Sequence, residues 1–244
     1  MSITGAFSIF KVNFLLAVRT NLFLATAYLL SISLFRGIAN LDMVHSAECL
    51  EQSVILVGIF LIVPLNVPEQ SKAIQEVVYT RNISHWKILL LRFVMSTLFL
   101  IMMVSLFSGI MVWKNCTFPF AADVAGTVIS ALALGSLGFA VSILSNSAIA
   151  GYLASAGYFL LNFLGNVSEK SIFYLFSMGK GNYTTKIYLL GWSLLMIAAP
   201  LIYSRKKKYC SKAIVKQAHQ IKKRCFGGLL CHAQTKIAQP SKPV

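Results

Sequence analysis

The densest group of charged side chains in this apolar sequence lies in one short segment, NVPEQSKAIQEVVYTRNISHWK, from Asn66 to Lys87. It holds two of the seven acidic residues, Glu69 and Glu76, between two long apolar runs. Charges three and four residues apart can pair along one face of a helix. The opposite face would carry an apolar stripe of Ala73, Ile74, Val77 and Val78. The spacing therefore predicts a short amphipathic helix beginning at Pro68, which suits a first helical turn.

This amphipathic helix fits a protein partner better than a lipid surface. Helices that lie on membranes usually carry Lys and Arg on their polar face. Acids at Glu69 and Glu76 suit an anionic lipid surface poorly, and they suit a protein groove better. The alternative is a solvated connector without a partner. After the helix, Trp86 and Lys87 are expected to mark the membrane surface, with Arg92 reaching the same surface from one turn inside the next span.

The spacing of the cysteines and histidines does not indicate a metal site or a redox site. The five cysteines form no CxxC pair, so neither a zinc site nor a redox motif is indicated. Cys225, Cys231 and His232 lie close together, but their spacing does not suit a known metal site. We expect no metal and no catalytic residue in this chain.

The surrounding elements are membrane spans. Mean hydropathy is +0.73 and only 12% of residues are charged, about half the usual share of a globular protein. The apolar runs predict an all-α polytopic membrane protein with six spans: Asn21–Phe35, Ser53–Val67, Ile88–Trp113, Val124–Leu144, Ala148–Leu164 and Ile187–Tyr203. A tight turn is expected at Ser145–Ser147; without it the count would be five.

The basic residues orient these spans. With the N-terminus in the cytoplasm, cytoplasmic segments hold 17 of the 22 Lys and Arg residues, including 11 from Arg205 onward. The outer loops then carry five acids and five bases, among them Glu51, Asp123 and Lys186. Both termini are expected in the cytoplasm of a bacterial cell, with the chain in its cytoplasmic membrane.

The predicted spans contain almost no ionisable side chain. Arg92 is the exception. Proton- or sodium-driven transporters usually need carboxylates or histidines inside the membrane, and an intramembrane enzyme needs an acid–base or nucleophile–base pair. The sequence therefore disfavours both classes, while a channel lined by backbone carbonyls stays open.

The chain is predicted to consist of a transmembrane domain, residues 1–204, and a basic tail, residues 205–244. Phe7, Phe10 and Phe14 have helical spacing, which predicts an amphipathic interfacial helix before the first span, or else an irregular extension. The basic tail of residues 205–244 is expected to lie on anionic lipids as a helix, or to be disordered. Nucleic-acid binding is the least favoured reading of the tail.

Small residues concentrate in the fourth and fifth predicted spans. Such residues let helix backbones approach closely. Packing within the chain and packing against another subunit explain them equally well. The residues concerned are Ala131, Gly135, Ser136, Gly138, Ala150, Gly151, Ala154, Ser155 and Gly157.

The segment from Pro68 to Val94 resembles the first cytoplasmic loop of type-2 ABC exporter permeases. In that family a glutamate, a Tyr/Thr-Arg pair, a serine and an aromatic residue lead into the third span. The matching residues here are Glu76, Tyr79, Thr80, Arg81, Ser84 and Trp86. Residues 134–162 look like the family's fourth and fifth helices, and SIFYLFSM at 171–178 resembles its extracellular re-entrant segment, although a plain interfacial loop fits as well.

This resemblance implies a non-catalytic permease whose coupling helix docks on a separate ATPase. The ATPase-coupling residues would be Glu69, Ala73, Ile74, Glu76, Val77, Val78 and Arg81. No phosphate-binding G-x-x-x-x-G-K-[ST] loop occurs in the chain, so ATP and Mg²⁺ would be bound by two copies of the partner. A second permease subunit, identical or related, would complete an exporter of peptides or drugs. The alternatives are an ATPase-independent channel or scaffold and, less favoured, an integral-membrane enzyme.

Overall fold

The computed structural model describes residues 19–69, 85–165, 171, 173–181 and 183–202. These residues are all-helical and contain no strand. The α-helices are α1 (Arg19–Phe35), α2 (Met43–Gln52), α3 (Val57–Ile62), α4 (His85–Trp113), α5 (Phe120–Ser145), α6 (Ala148–Phe163) and α7 (Thr184–Ile202). Short 3₁₀ segments occupy Val54–Leu56, Val63–Glu69 and Met178–Lys180.

Four helical segments are long and apolar enough to cross a membrane. They are Met43–Val67, Ile88–Trp113, Phe120–Ser145 and Thr184–Ile202. The apolar helices α1 and α6 have 17 and 16 residues, whereas a spanning helix needs about 20. These helices support the transmembrane character of the chain, and the count of six spans stays a prediction.

The second apolar segment starts earlier than the sequence predicted. The predicted span began at Ser53, but α2 begins at Met43, and residues expected in an outer loop are helical. Towards its other end, the segment tightens to a 3₁₀ helix at Val63–Glu69. Pro64 and Pro68 account for this change, because proline lacks the N–H of the α-helical pattern and its ring crowds the preceding turn.

The connection between α5 and α6 is a tight turn at the predicted place. Asn146 adopts the left-handed conformation with φ 53° after the last residue of α5. Asparagine tolerates this conformation better than most residues with a side chain. Ser147 is extended and leads directly into α6. The two helices therefore fold back on each other as an antiparallel pair.

Helix α5 lies at the centre of the bundle, and glycines bring its neighbours close. A Cβ on Gly58 of α3 would collide with the carbonyl oxygen of Ala131. A Cβ on Gly135 would lie 2.7 Å from the carbonyl oxygen of Gly58. Where α5 meets α6, a Cβ on Gly138 would lie 2.8 Å from the carbonyl oxygen of Gly151. We call these four glycines the glycine seam.

Some of the small residues noted in the sequence pack within the chain and not against another subunit. Gly135, Gly138 and Gly151 pack within the chain, and Ser155 is buried with its hydroxyl donating to the carbonyl of Leu134 at 3.0 Å. Gly157, in contrast, faces open space, with nothing within 4 Å of a built Cβ.

The bundle has two distinct ends. Helix α5 has Asp123 in its first turn and ends at Ser145. The segment Met43–Glu69 runs parallel to α5, because Gly58 meets Ala131 while Val63 meets Gly138 further along. We call the end with Asp123 the polar end. The opposite end, which holds Glu69, His85 and the Asn146 turn, is the loop end.

Several sequence predictions fall outside the described residues. These are the N-terminal amphipathic helix, the basic tail and most of the coupling segment. The coupling residues concerned are Ala73, Ile74, Glu76, Val77, Val78 and Arg81. For Glu69, Trp86 and Lys87 the structure describes the backbone, at the end of a 3₁₀ segment and the start of α4, but not the side chains.

Candidate functional site

A buried lysine organises the polar end of the bundle. Lys186, in the first turn of α7, donates from Nζ to Oε1 of Glu51 at 2.6 Å and to Oγ of Ser130 at 2.7 Å. It also donates to the carbonyl oxygen of Leu175 at 2.5 Å. The side chains of Lys186 and Glu51 are only 3% and 2% exposed. This is an ion pair enclosed within the protein.

The hydrogen-bond geometry fits a charged Lys186. A charged lysine carries three N–H donors and no acceptor. The three oxygens around Nζ therefore match its donors one for one. Since one of those oxygens belongs to Glu51, the contact fits an ammonium–carboxylate salt bridge.

Glu51 extends this cluster to the loop between α6 and α7. Its Oε1 also accepts a hydrogen bond from the backbone N–H of Met178 at 3.0 Å. Glu51 thus contacts α7 through Lys186 and the loop through Met178. With Ser130 on α5, the polar contacts tie together four separate segments of the chain.

A second buried acid at the polar end, Asp123, pairs with a tyrosine hydroxyl. Tyr183 donates from its hydroxyl to Oδ1 of Asp123 at 2.8 Å. Asp123 is 1% exposed, and its Oδ2 has no hydrogen-bond partner among the described residues. Burial, together with the hydrogen bond to Asp123 and the negative charge of that residue, raises the pKa of Tyr183 to about 12. The phenol is therefore neutral at physiological pH.

The loop after α6 folds onto this end of the bundle. Leu175 and Met178 are buried, and the backbone N–H of Leu175 donates to Oδ1 of Asn162 at 3.0 Å. Tyr158 donates to the carbonyl of Phe173 at 2.7 Å. Met178 fills the space beside Gly126, where a Cβ would collide with its sulfur. The apolar stretch noted in the sequence thus covers the polar end instead of lying free.

The candidate spans hold more ionisable side chains than Arg92, the one that the sequence predicted. Glu51, Asp123 and Lys186 were assigned to outer loops, but all three lie buried in helical segments that are candidate spans. Ionisable residues inside a membrane protein are costly unless they are paired, and they often mark functional sites. The Glu51–Lys186 pairing supplies the compensation that burial requires.

Arg92 is the predicted surface residue whose side chain the structure describes. It is 7% exposed, and its Nη1 lies 3.4 Å from the carbonyl oxygen of Leu65. The side chain is therefore buried against the end of the preceding span, and its role as a membrane-surface anchor stays a prediction. The contact joins the two spans that flank the predicted coupling segment.

The cluster does not have the properties of a hydrolytic site. Ser130 and Lys186 lie at the distance of a serine–lysine pair, in which a neutral lysine acts as the base. Here the ammonium is bound to Glu51, so it has no lone pair to accept a proton, and Ser130 is fully buried. Among the described residues no group of three His, Cys, Asp or Glu side chains could hold a metal ion.

The chain matches no protein-family model, no curated protein and no solved structure. The local geometry therefore carries the functional interpretation. The local geometry consists of a buried ion pair that joins three helices and a loop at one end of an apolar bundle.

Proposed function

We propose that this chain is the permease subunit of an ATP-driven exporter in a bacterial cytoplasmic membrane. Its cargo would be an amphipathic or lipophilic molecule, a peptide or a drug. The chain itself would be non-catalytic, and ATP would be hydrolysed with Mg²⁺ in a separate ATPase. The proposal rests on the resemblance of the segment Pro68–Val94 to exporter coupling loops and on the helical bundle around it.

The observation that carries the proposal is the position of the two residues that bracket the coupling segment. Glu69 ends the second apolar segment and His85 begins α4, and both lie at the loop end. The Arg92–Leu65 hydrogen bond holds the two flanking segments together. A segment that leaves and re-enters the bundle at one end is suited to docking on a soluble subunit. The amphipathic pattern from Glu69 to Thr80 supplies the docking face.

The assembly we propose contains two permeases and two ATPases. Each permease would present one coupling helix to one ATPase. The second permease would be a copy of this chain or a relative, and the exposed apolar faces of α1 and α6 are surfaces on which it could pack. The basic tail would contact anionic lipids, and nucleic acid has no part in the proposal.

A second candidate is a transporter coupled to an ion gradient, because four charged residues are buried in candidate spans, namely Glu51, Arg92, Asp123 and Lys186. The structure of the cluster favours this candidate less. Lys186 and Glu51 are fully engaged with each other and their neighbours. A proton relay needs a group that can give up its proton, and separating this pair would leave a buried charge unpaired. We therefore assign the pair a structural role.

The coupling proposal is tested by placing a charge on the apolar stripe of the predicted helix. In Val77→Asp a carboxylate would have to enter an apolar groove of the ATPase, which is costly without a partner. We expect cargo-stimulated ATP hydrolysis to fall to the rate of the isolated ATPase, measured on the co-purified complex in nanodiscs. The permease should still reach the membrane in normal amounts.

The control is Gln75→Asp, which adds the same charge to the same predicted helix but away from the stripe. It should leave ATP hydrolysis close to the wild-type rate. Equal activity of Val77→Asp and wild type would contradict the docking assignment. Cargo movement that continues without ATP but stops when the proton gradient is dissipated would support the ion-coupled candidate instead.

A further inference from the structure

A pocket opens at the polar end beside the buried salt bridge. Its volume is about 420 Å³, which lies within the range of about 300–1,000 Å³ that small-molecule sites occupy. Helix α2, the end of α6 and the covering loop form its wall. Glu51 therefore lines a pocket as well as joining helices through its bond with Lys186.

Aromatic rings line one side of this pocket. Phe163, Tyr174 and Phe176 all belong to its wall. Phe176 meets the edge or face of both neighbours, with ring centroids 6.5 Å from Phe163 and 6.2 Å from Tyr174 and interplanar angles of 83° and 87°. Rings set at right angles present faces in more than one direction. Such faces attract cations through the negative potential above each ring.

One carboxylate among the described lining residues has no partner. Glu48 is half-buried in the wall and forms no ion pair or hydrogen bond with the described residues. Glu51 also lines the pocket, but its charge is balanced by Lys186. The described part of the wall includes no Lys, Arg or His. Among the described lining residues, Glu48 is therefore the one unpaired charge, and it shares the wall with three aromatic rings.

We propose that this pocket binds the ammonium group of an organic cation. A metal ion is a poor fit, because it needs several ligands, and the described residues offer no group of three acidic, histidine or cysteine side chains. An alkylammonium needs only a carboxylate and aromatic faces. The same chemistry is offered by a dissolved cationic amphiphile and by the choline headgroup of a lipid.

Binding is tested with phenyltrimethylammonium on the full chain in nanodiscs made only of phosphatidylglycerol. No ATPase and no ATP are present, so the outcome is independent of the coupling proposal. The wild type should bind the radiolabelled probe saturably, one molecule per chain. Glu48→Gln should weaken binding about fivefold, which is the upper range for a partly exposed charge pair. Phe163→Leu should weaken it about threefold through the lost ring face.

Two matched variants control for general effects. Asp42→Asn removes a charge from the same end of the bundle, and Phe173→Leu removes an exposed ring, but neither residue lines the pocket. Both should bind like wild type. Absence of saturable binding overturns the proposal, as does an equal effect of Glu48→Gln and Asp42→Asn.

Probe binding in a second lipid distinguishes a dissolved cation from a lipid headgroup as the natural ligand. In nanodiscs of phosphatidylcholine, loss of probe binding identifies the headgroup as occupant, and retained binding identifies a dissolved cation. Both results are consistent with an ammonium site, and the choice between them names its ligand.

Discussion

The polar end and the glycine seam hold helices together in different ways. At the polar end, Lys186 reaches three oxygens from α2, α5 and the covering loop. In the seam, Gly58, Gly135, Gly138 and Gly151 contribute no polar side chain and instead let backbones touch. Lipid is as apolar as leucine, so helices in a membrane gain little from burying apolar surface. Helices in a membrane can instead associate through directional polar contacts, as at the polar end, or through close packing, as in the glycine seam.

These two means respond differently to change. The polar end is sensitive to charge, because each ion of the pair compensates the burial of the other. The seam is sensitive to volume, because the nearest atom at Gly58, Gly135 and Gly151 is a backbone oxygen that cannot rotate away. Substitutions that alter charge alone or volume alone therefore separate the contributions of the two regions.

The largest effect is expected from Lys186→Met. This change keeps most of the side-chain volume but leaves Glu51 as an unpaired buried charge. Breaking a buried ion pair from one side costs about 3–5 kcal/mol. We expect the free energy of unfolding, measured by SDS titration in mixed micelles, to fall by about this amount.

The matching double variant makes this prediction specific. Glu51→Gln combined with Lys186→Met removes both charges, and should recover stability to within about 1 kcal/mol of wild type. Lys114→Met, at an exposed lysine of the same end, should have no measurable effect. If the single and double variants are equally unstable, the salt bridge does not hold the polar end.

An intermediate effect is expected from Gly58→Ala. The added methyl would collide with the carbonyl of Ala131, so α3 must move away from α5. Overpacking of this kind costs about 1–3 kcal/mol. The same SDS titration measures the loss.

Gly157→Ala is the control for the seam, because nothing lies within 4 Å of its built Cβ. Alanine is the better helix former, so this variant should be as stable as wild type or slightly more stable. A loss of stability in both variants would mean that glycine is needed for flexibility and not for close packing.

The two regions also differ in how far the sequence predicted them. The small residues at Gly135, Gly138 and Gly151 stand out within apolar runs, so close packing was predicted, although its partner was left open. The turn was predicted at Ser145–Ser147 and has a local cause in Asn146. The 3₁₀ segment was not predicted, although Pro64 and Pro68 are its local cause. Local signals of this kind do not require knowledge of the fold.

The polar cluster was missed because its partners are distant in the chain. Glu51, Asp123 and Lys186 each come one or two residues before a predicted span, so they were read as the ends of loops. Glu51 and Lys186 are 135 residues apart. Their opposite signs at the same predicted membrane boundary were the available hint, but only the packed helices show that they meet.

The smallest effect is expected from Tyr183→Phe, at the border between the polar end and water. The substitution removes the hydrogen bond to Asp123 and keeps the ring. Tyr183 is partly exposed, so water can take over much of the contact, and the expected loss is about 0.5–1.5 kcal/mol at pH 8. Tyr188→Phe, on the exposed surface of α7, should leave the unfolding free energy unchanged.

The pH dependence of this difference tests whether the phenol is held neutral by the fold. Because folding raises the pKa of Tyr183 from 10.0 to about 12, the folded state favours the protonated phenol. That contribution is complete below pH 10 and is lost as the pH rises through about 12. The stability difference between wild type and Tyr183→Phe should therefore shrink between pH 10 and pH 12, as other titrating groups cancel in the comparison. A difference that stays constant over this range would show that Tyr183 titrates alike in the folded and unfolded chain, and that its contact with Asp123 does not belong to the polar cluster.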